Sequence, residues 1–224
     1  VLNLQRMRIK SLPAAIIFDM DGVMVQTAPQ HFAAWKQALR TVGYELSEED
    51  FRSTFGMRNP DIIRRLLGEN VADELVEKLG SLKEEIYRSI VKEEVKPAPG
   101  LLPLLSQLKE EGFKLAVGTS APRENVELIL SSLGISEIFD AIVTEEDVER
   151  GKPHPDAFLL AAKRCGVEPG RCVVIEDAPS GLEAAKAAGM RCIGVTGTRT
   201  KEELSLADLV VDGLEQIRNW LISA

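Results

Sequence analysis

Cysteine, histidine and aromatic residues are all scarce in this chain of 224 residues, with three cysteines, two histidines and 5% Phe, Trp and Tyr together. Cys165, Cys172 and Cys192 include no C-x-x-C pair, which excludes a disulfide framework or a cysteine-type zinc site and points to a reducing cytoplasm. Positive charge is also in deficit, 27 Lys and Arg against 35 Asp and Glu for a net charge of −8, so a broad footprint for nucleic acid or anionic lipid is excluded. A local basic cluster in a cleft remains compatible with that balance, and phosphorylated small molecules stay open as ligands. Long apolar runs are missing too: the stretch Leu12 to Phe18 ends in Asp19, too short for a membrane span and without a signal peptide's cleavage pattern. No repeat or low-complexity tract is evident. Residues 1–12 read as a lead-in, with Met7 as a natural start and Val1 as an artefact, and they carry none of the functional argument.

What is present is ample core material, 45% hydrophobic against 28% charged, enough for one large or two small domains. Five apolar runs read as strands: Ala15 to Phe18, Leu115 to Thr119, Ala141 to Thr144, Cys172 to Ile175 and Cys192 to Val195, with a weaker sixth at Leu209 to Val211. Helix-like segments separate the later runs, for example Val126, Ile129, Leu130 and Leu133. The alternation predicts an α/β fold, a doubly wound (Rossmann-like) parallel sheet whose ligands gather at the carboxyl ends of the strands. It breaks between Pro29 and Val95, where helices are expected over His31–Val42 and from Ser47, from Asn59 with Pro60 in the first turn, and from near Val71. The expected organisation is a core of residues 1–28 and 95–224 with an inserted helical cap over 29–94, placed to cover the ligand end of the sheet and exclude water.

Four short segments carry chemistry-bearing residues. Ile17-Phe18-Asp19-Met20-Asp21-Gly22-Val23 runs an apolar strand into two carboxylates on one face, with Gly22 free to turn. It resembles the start of a calcium loop, but no acid stands near Ala28, where such a loop needs its final Glu. Val117-Gly118-Thr119-Ser120-Ala121-Pro122 places two hydroxyls before a helix; Ser120 is either an anion contact or a plain helix cap. In Gly151-Lys152-Pro153-His154-Pro155-Asp156 two prolines hold Lys152 in an extended backbone, with His154, fixed between them, as a structural residue. Val174-Ile175-Glu176-Asp177-Ala178-Pro179-Ser180-Gly181 ends a strand in two acids, and Ser180 with Glu183 fits a capping box. Each segment ends a different predicted strand, so all four face one cleft. Asp19, Asp21, Glu176 and Asp177 together repel one another unless a divalent cation and the Lys152 ammonium hold them ionised. All-oxygen ligands favour Mg2+ over zinc, and magnesium with carboxylates points to phosphoryl transfer.

On these residues, Asp19-Met20-Asp21-Gly22-Val23, Thr119, the Gly-Lys-Pro-x-Pro setting of Lys152 and Glu176-Asp177, the chain resembles the haloacid dehalogenase superfamily. The motifs occur in the family's order across essentially the whole chain, and the helical insert resembles the capped subfamily of β-phosphoglucomutase and sugar-phosphate phosphatases. The resemblance implies Asp19 as nucleophile forming an aspartyl-phosphate, Asp21 as general acid and base, Thr119 as a phosphoryl hydrogen-bond donor and Lys152 as the neutralising cation. It further implies Mg2+ held by Asp19, Asp177 and the Asp21 backbone carbonyl, with Glu176 as a ligand or as a partner behind the ligands. Gly22, Thr27, His31, Ser120 and the cap loop Gly56, Arg58 and Asn59 become candidates for substrate contact.

Three departures bear on the reaction. Gln26 stands before Thr27 where the family usually has an acid. Phe55 stands where a mutase is expected to have a basic residue, and Arg58 is one position out of register. A mutase must hold both phosphates of a bisphosphate, so hydrolysis of a small phosphorylated metabolite is favoured over isomerisation of a hexose 1-phosphate. His31 is either a residue between core and cap or a surface histidine, and Phe32 with Trp35 is expected to form the packing face of its helix. A phosphoacceptor signalling module also uses an acidic strand-end pocket and a lysine, but needs neither Asp21 nor a cap, and a dehalogenase needs neither Asp21 nor the Glu176-Asp177 pair. A monomer in the cytoplasm, without nucleic-acid or membrane partners, is the expectation.

Overall fold

The computed structural model describes residues 13–92, 94–218 and 221. The expected lead-in over 1–12 lies outside the described residues. Among the described residues six strands form: β1 (Ala15–Phe18), β2 (Lys114–Gly118), β3 (Ala141–Val143), β4 (Cys172–Glu176), β5 (Arg191–Val195) and β6 (Leu209–Val211). They make one parallel sheet in the order β3-β2-β1-β4-β5-β6. The doubly wound sheet read from the alternating runs is thus the architecture observed. Along β1 successive side chains go to opposite faces, Ile16 and Phe18 into one apolar layer and Ala15 and Ile17 into the other. The first layer packs under α5 (Leu101–Glu110) and α6 (Arg123–Leu133), the second under α7 (Asp156–Cys165) and α8 (Pro179–Ala187). Chain order reverses between β1 and β4, and both strands run directly into carboxylates, which is where a doubly wound sheet opens a crevice.

Between β1 and α5 lie four helices: α1 (Ala28–Arg40), α2 (Glu48–Thr54), α3 (Asn59–Leu67) and α4 (Asp73–Val91). They bury their own apolar cluster, with Trp35, Leu39, Ile62, Ile63, Val76 and Leu79 at its centre. Helix α1 starts three residues before the expected His31, because Pro29 fits the first turn, where its missing N–H is not needed. Ser47 caps α2 by accepting from the Asp50 N–H at 3.0 Å. Among the described residues no helix is long and apolar enough to cross a membrane.

Two local expectations are corrected. Ser180 does not form a capping box, because α8 already begins at Pro179 and takes Ala178 as its cap residue. Ser120 does not cap α6, whose cap position is Pro122 two residues later. Lys152 stands in a tight turn, closed by the His154 N–H onto the Gly151 carbonyl at 3.0 Å, with a cis peptide between Lys152 and Pro153.

Candidate active site

The carboxyl ends of β1, β2 and β4 and the turn carrying Lys152 meet beneath the four helices. Asp19 continues the β1 ladder, its N–H donating to the Ile175 carbonyl at 2.9 Å, so its side chain is aimed by the sheet itself. Lys152 donates through Nζ to Asp19 Oδ1 at 2.5 Å and to Glu176 Oε1 at 2.6 Å, while its ammonium lies 4.8 Å from the centre of the Phe158 ring. All three groups are buried. The other oxygen of Glu176 accepts the backbone N–H groups of Asp177 and Ala178, both at 2.8 Å. Glu176 therefore holds Lys152 on one side and shapes the turn after β4 on the other.

The carboxylate and backbone carbonyl of Asp177 both accept from the hydroxyl of Thr198, in the loop after β5. Two glycines make room for these acids. A Cβ on Gly22, whose φ is +89°, would sit 2.0 Å from an Asp177 carboxylate oxygen, and one on Gly181 would sit 1.8 Å from Glu176 Oε1. Ligand oxygens of Asp19, Glu176 and Asp177 all lie within 4.8 Å of one another. Burial, then the neighbouring carboxylates, pushes Asp177 well above the usual carboxylate range. Burial likewise raises Asp19, against the opposing pull of Lys152, to about 7. Lys152 is itself held above the ordinary lysine value, because the two carboxylates outweigh its burial. Three buried carboxylates facing one ammonium are short of positive charge, and hard oxygen donors of this kind suit a divalent cation such as magnesium.

Asp21 is held separately. Its Oδ1 accepts from the Thr27 hydroxyl, from His31 Nε2 at 3.1 Å and, at the long limit of 3.5 Å, from the Tyr87 hydroxyl. None of these bonds uses Oδ2. His31 is buried, stacked on Tyr87 at 3.9 Å between ring centres and edge-on to Phe55 at 5.8 Å, so it is an interior residue between sheet and helices. Burial and then Lys83 lower the His31 pKa, so a neutral imidazole donates its N–H to Asp21. Burial alone would raise the Asp21 pKa, but His31, Thr27 and Lys83 outweigh it and hold the carboxyl below its ordinary range. Gln26 donates to the Gly22 carbonyl at 2.9 Å, a bond that the usual acid at this position cannot donate when ionised.

Thr119 is buried, its hydroxyl accepting the Ala121 N–H at 3.1 Å, and Ser120 beside it lines the cleft. Gly56, at φ +93°, carries the loop before α3 to the edge of the cleft and close to Ala178. Asn59 lines the cleft but is tied, donating to Glu84 Oε1 at 2.7 Å. Arg58 does not join them. Its side chain, on the cap residue of α3, pairs with Asp61 at 3.1 Å and donates to the Glu149 carbonyl at 2.9 Å.

The cation that does reach the cleft from the four helices is Lys83, which composition and motifs did not single out. It is buried on α4, its ammonium 5.4 Å from the Trp35 ring centre and 5.2 Å from that of Tyr87, and it pairs with Glu84 at 2.7 Å. Trp35 packs in the helical cluster as expected and also walls the cleft, together with Phe51 and Phe55. The sequence carried one sign of this. Leu79, Lys83, Tyr87 and Val91 recur at four-residue spacing, so Lys83 interrupts an apolar stripe.

A family model described as haloacid dehalogenase-like hydrolase matches residues 13–189. Fructose-1-phosphate phosphatase of Escherichia coli is 38% identical over 184 residues, covering 81% of this chain and 96% of that protein. β-Phosphoglucomutase of Bacillus subtilis is 33% identical over 190 residues, covering 81% of this chain and 82% of the relative. The solved β-phosphoglucomutase of Clostridium difficile superposes with a TM-score of 0.87 at 31% identity, covering 95% of this chain and 96% of that one.

Proposed function

The chain belongs to the haloacid dehalogenase-like hydrolase family, whose relatives here include sugar-phosphate phosphatases and a phosphomutase, and on that premise we propose a magnesium-dependent phosphatase of small phosphate monoesters, sugar phosphates above all. In this reading residues 29–94 form a cap over a core of 13–28 and 95–218. The observation that carries the proposal is the division of labour between two acids one residue apart. Asp19 faces Lys152 and the other acids, whereas Asp21 faces Thr27, His31 and Tyr87.

Asp19 attacks phosphorus through the carboxylate oxygen that Lys152 leaves free, forming an aspartyl-phosphate as the sugar oxygen departs. Asp19 and Asp177, with the Asp21 carbonyl, would hold the magnesium, and Glu176 serves behind them by fixing Lys152. Bound there, the cation would supply charge neutralisation for the nucleophile and the phosphoryl oxygens. Lys152 and the Thr119 hydroxyl stabilise charge on the transferring group. Asp21 gives the leaving oxygen its proton and then takes one from the attacking water. The negatively charged substrate beside Asp21 raises its proton affinity for the first task. The ionised state favoured by Thr27 and His31 suits the second.

Hydrolysis is preferred to isomerisation because the cap offers few hands for a second phosphate. Phe55 is apolar, Asn59 is bound to Glu84 and Arg58 points elsewhere, which leaves Lys83 to meet the sugar's polar groups. Phosphate release from a panel of sugar phosphates, with and without magnesium, for the native chain and Asp19→Asn tests this. Metal-dependent release lost in the variant supports the reading. No release, with conversion of a hexose 1-phosphate once its bisphosphate is added, replaces it with the mutase.

A further inference from the structure

One buried charged group of the cap, at its seam with the core, has no part in the chemistry above. Glu84, on α4, is 5% exposed, and both of its oxygens are engaged. Oε1 accepts from Lys83 at 2.7 Å and from Asn59 Nδ2 at 2.7 Å, both on the cap. Oε2 accepts from Asn125 Nδ2 at 2.6 Å, on the first turn of α6 in the core, and Asn125 is fully buried. The other end of the Asn125 amide accepts from Arg88 Nη1 at 3.1 Å. Residues 84 and 88 are one helical turn apart and face the same way, so α4 grips a single core side chain from both sides. The amide orientation is fixed by the partners, since its nitrogen meets a carboxylate and its oxygen meets a guanidinium.

Burial alone would push Glu84 toward protonation, but Lys83 and the Asn125 hydrogen bond hold it below the ordinary value. An ionised carboxylate in this position is costly unless every donor is in place, and one of those donors belongs to the core. With the cap lifted, Glu84 loses Asn125. Lys83 and the start of α3 are then tied to a carboxylate that has lost its core anchor.

We propose that Glu84 is a positioning residue that couples two events, docking of the cap on Asn125 and placement of Lys83 and Asn59 in the cleft. The closed, charged cleft is then one cooperative state: substrate that uses Lys83 favours closure, and closure favours Lys83 in its binding position. This rests on the phosphatase reading for its kinetic arm only.

The test uses Asn125→Ala, Glu84→Gln and the double variant Glu84→Gln with Asn125→Asp, which exchanges donor and acceptor across the seam and keeps an acceptor for Arg88. Two readouts are followed: amide hydrogen exchange over residues 54–59 and 123–127, and steady-state phosphate release. Both single variants are expected to exchange roughly ten-fold faster at these segments and to raise KM by a similar factor with kcat changed far less, the scale of one lost hydrogen bond to a charged group. The double variant is expected to regain the exchange protection. Where Asn125→Ala fails to fold, Arg88→Met from the outer arm of the same grip replaces it, with the same shifts expected. Unchanged exchange in the single variants, or a double variant whose losses simply add, overturns the coupling. If the native chain releases no phosphate, the phosphatase reading has failed, and the exchange result still decides whether the grip exists.

Discussion

Replacing Lys152 by methionine removes the positive charge on which the acidic pocket depends and keeps most of the side-chain volume. The ammonium lies 2.5 Å from Asp19 and 2.6 Å from Glu176, and both partners are buried. Breaking a buried pair by deleting one partner costs about 3–5 kcal/mol, because the remaining charge stays in a poorly solvating interior. Here the cost depends on pH with a definite sign. Asp19 is already raised from 3.8 to about 7 by burial, and Lys152 is the first group opposing that rise. Without Lys152 the folded-state pKa climbs further. A carboxyl whose folded pKa exceeds its unfolded value weakens the fold most above the folded pKa and is relieved as protonation sets in below it. Urea unfolding in chelator, at pH 8 and again at pH 5.5, measures this. Lys152→Met is expected to lose about 3–5 kcal/mol against the native chain at pH 8, clearly less at pH 5.5, and to recover part of the loss at pH 8 when magnesium is added. A loss that is small and equal at both pH values would refute the claim that Lys152 neutralises a buried acidic cluster.

Other substitutions probe separate links. Gly22→Ala drives a Cβ to within 2.0 Å of Asp177, so the magnesium concentration needed for half-maximal activity should rise at least ten-fold while the fold survives by circular dichroism. Asp21→Asn, which leaves Lys152 and the metal ligands in place, should cut kcat by roughly 10²–10⁴-fold in the phosphate-release assay. Tyr87→Phe should change kcat less than three-fold, because its hydroxyl reaches Asp21 only at 3.5 Å. Asp140 accepts from Lys109, Lys114 and the Leu115 N–H at the β2–β3 edge, and its carboxyl, though partly desolvated, is held well below 3.8 by those partners. Its stabilisation is present above pH 4 and is lost as pH falls through the lower folded value, so Asp140→Asn, with the lysine pairs screened by solvent, should cost about 1 kcal/mol at pH 7 and flatten the acid limb of a stability profile.

The sheet was legible because its strands are nearly continuous apolar runs, and the positions at their carboxyl ends follow from topology alone. Asp19, Thr119, Lys152 and Glu176-Asp177 each stand at or just after such a run, and the structure brings all of them together. What stayed hidden comes from contacts between distant segments. Tyr87 reaches Asp21 across 66 residues and Glu84 reaches Asn125 across 41, and neither separation leaves a local pattern. Arg58 and Asn59 show the same limit. Arg58 is the cap residue of α3 and Asn59 its first helical residue, and their partners, Glu149 for one and Glu84 for the other, lie 91 and 25 residues away, where no local pattern records them. Ser180 fits a capping pattern by sequence, yet Pro179 starts the helix one residue earlier and leaves Ser180 inside it.

In the proposed mechanism Asp19 carries the phosphoryl group. Mixing the native chain with magnesium and a radiolabelled sugar phosphate chosen from the panel, quenching in acid within milliseconds and reducing with borohydride converts an aspartyl-phosphate to homoserine at its own position. Protein-bound label is expected in the quenched native chain and homoserine at position 19, with neither in Asp19→Asn. Rapid phosphate release with no protein-bound label, or with homoserine at any other position, would contradict it.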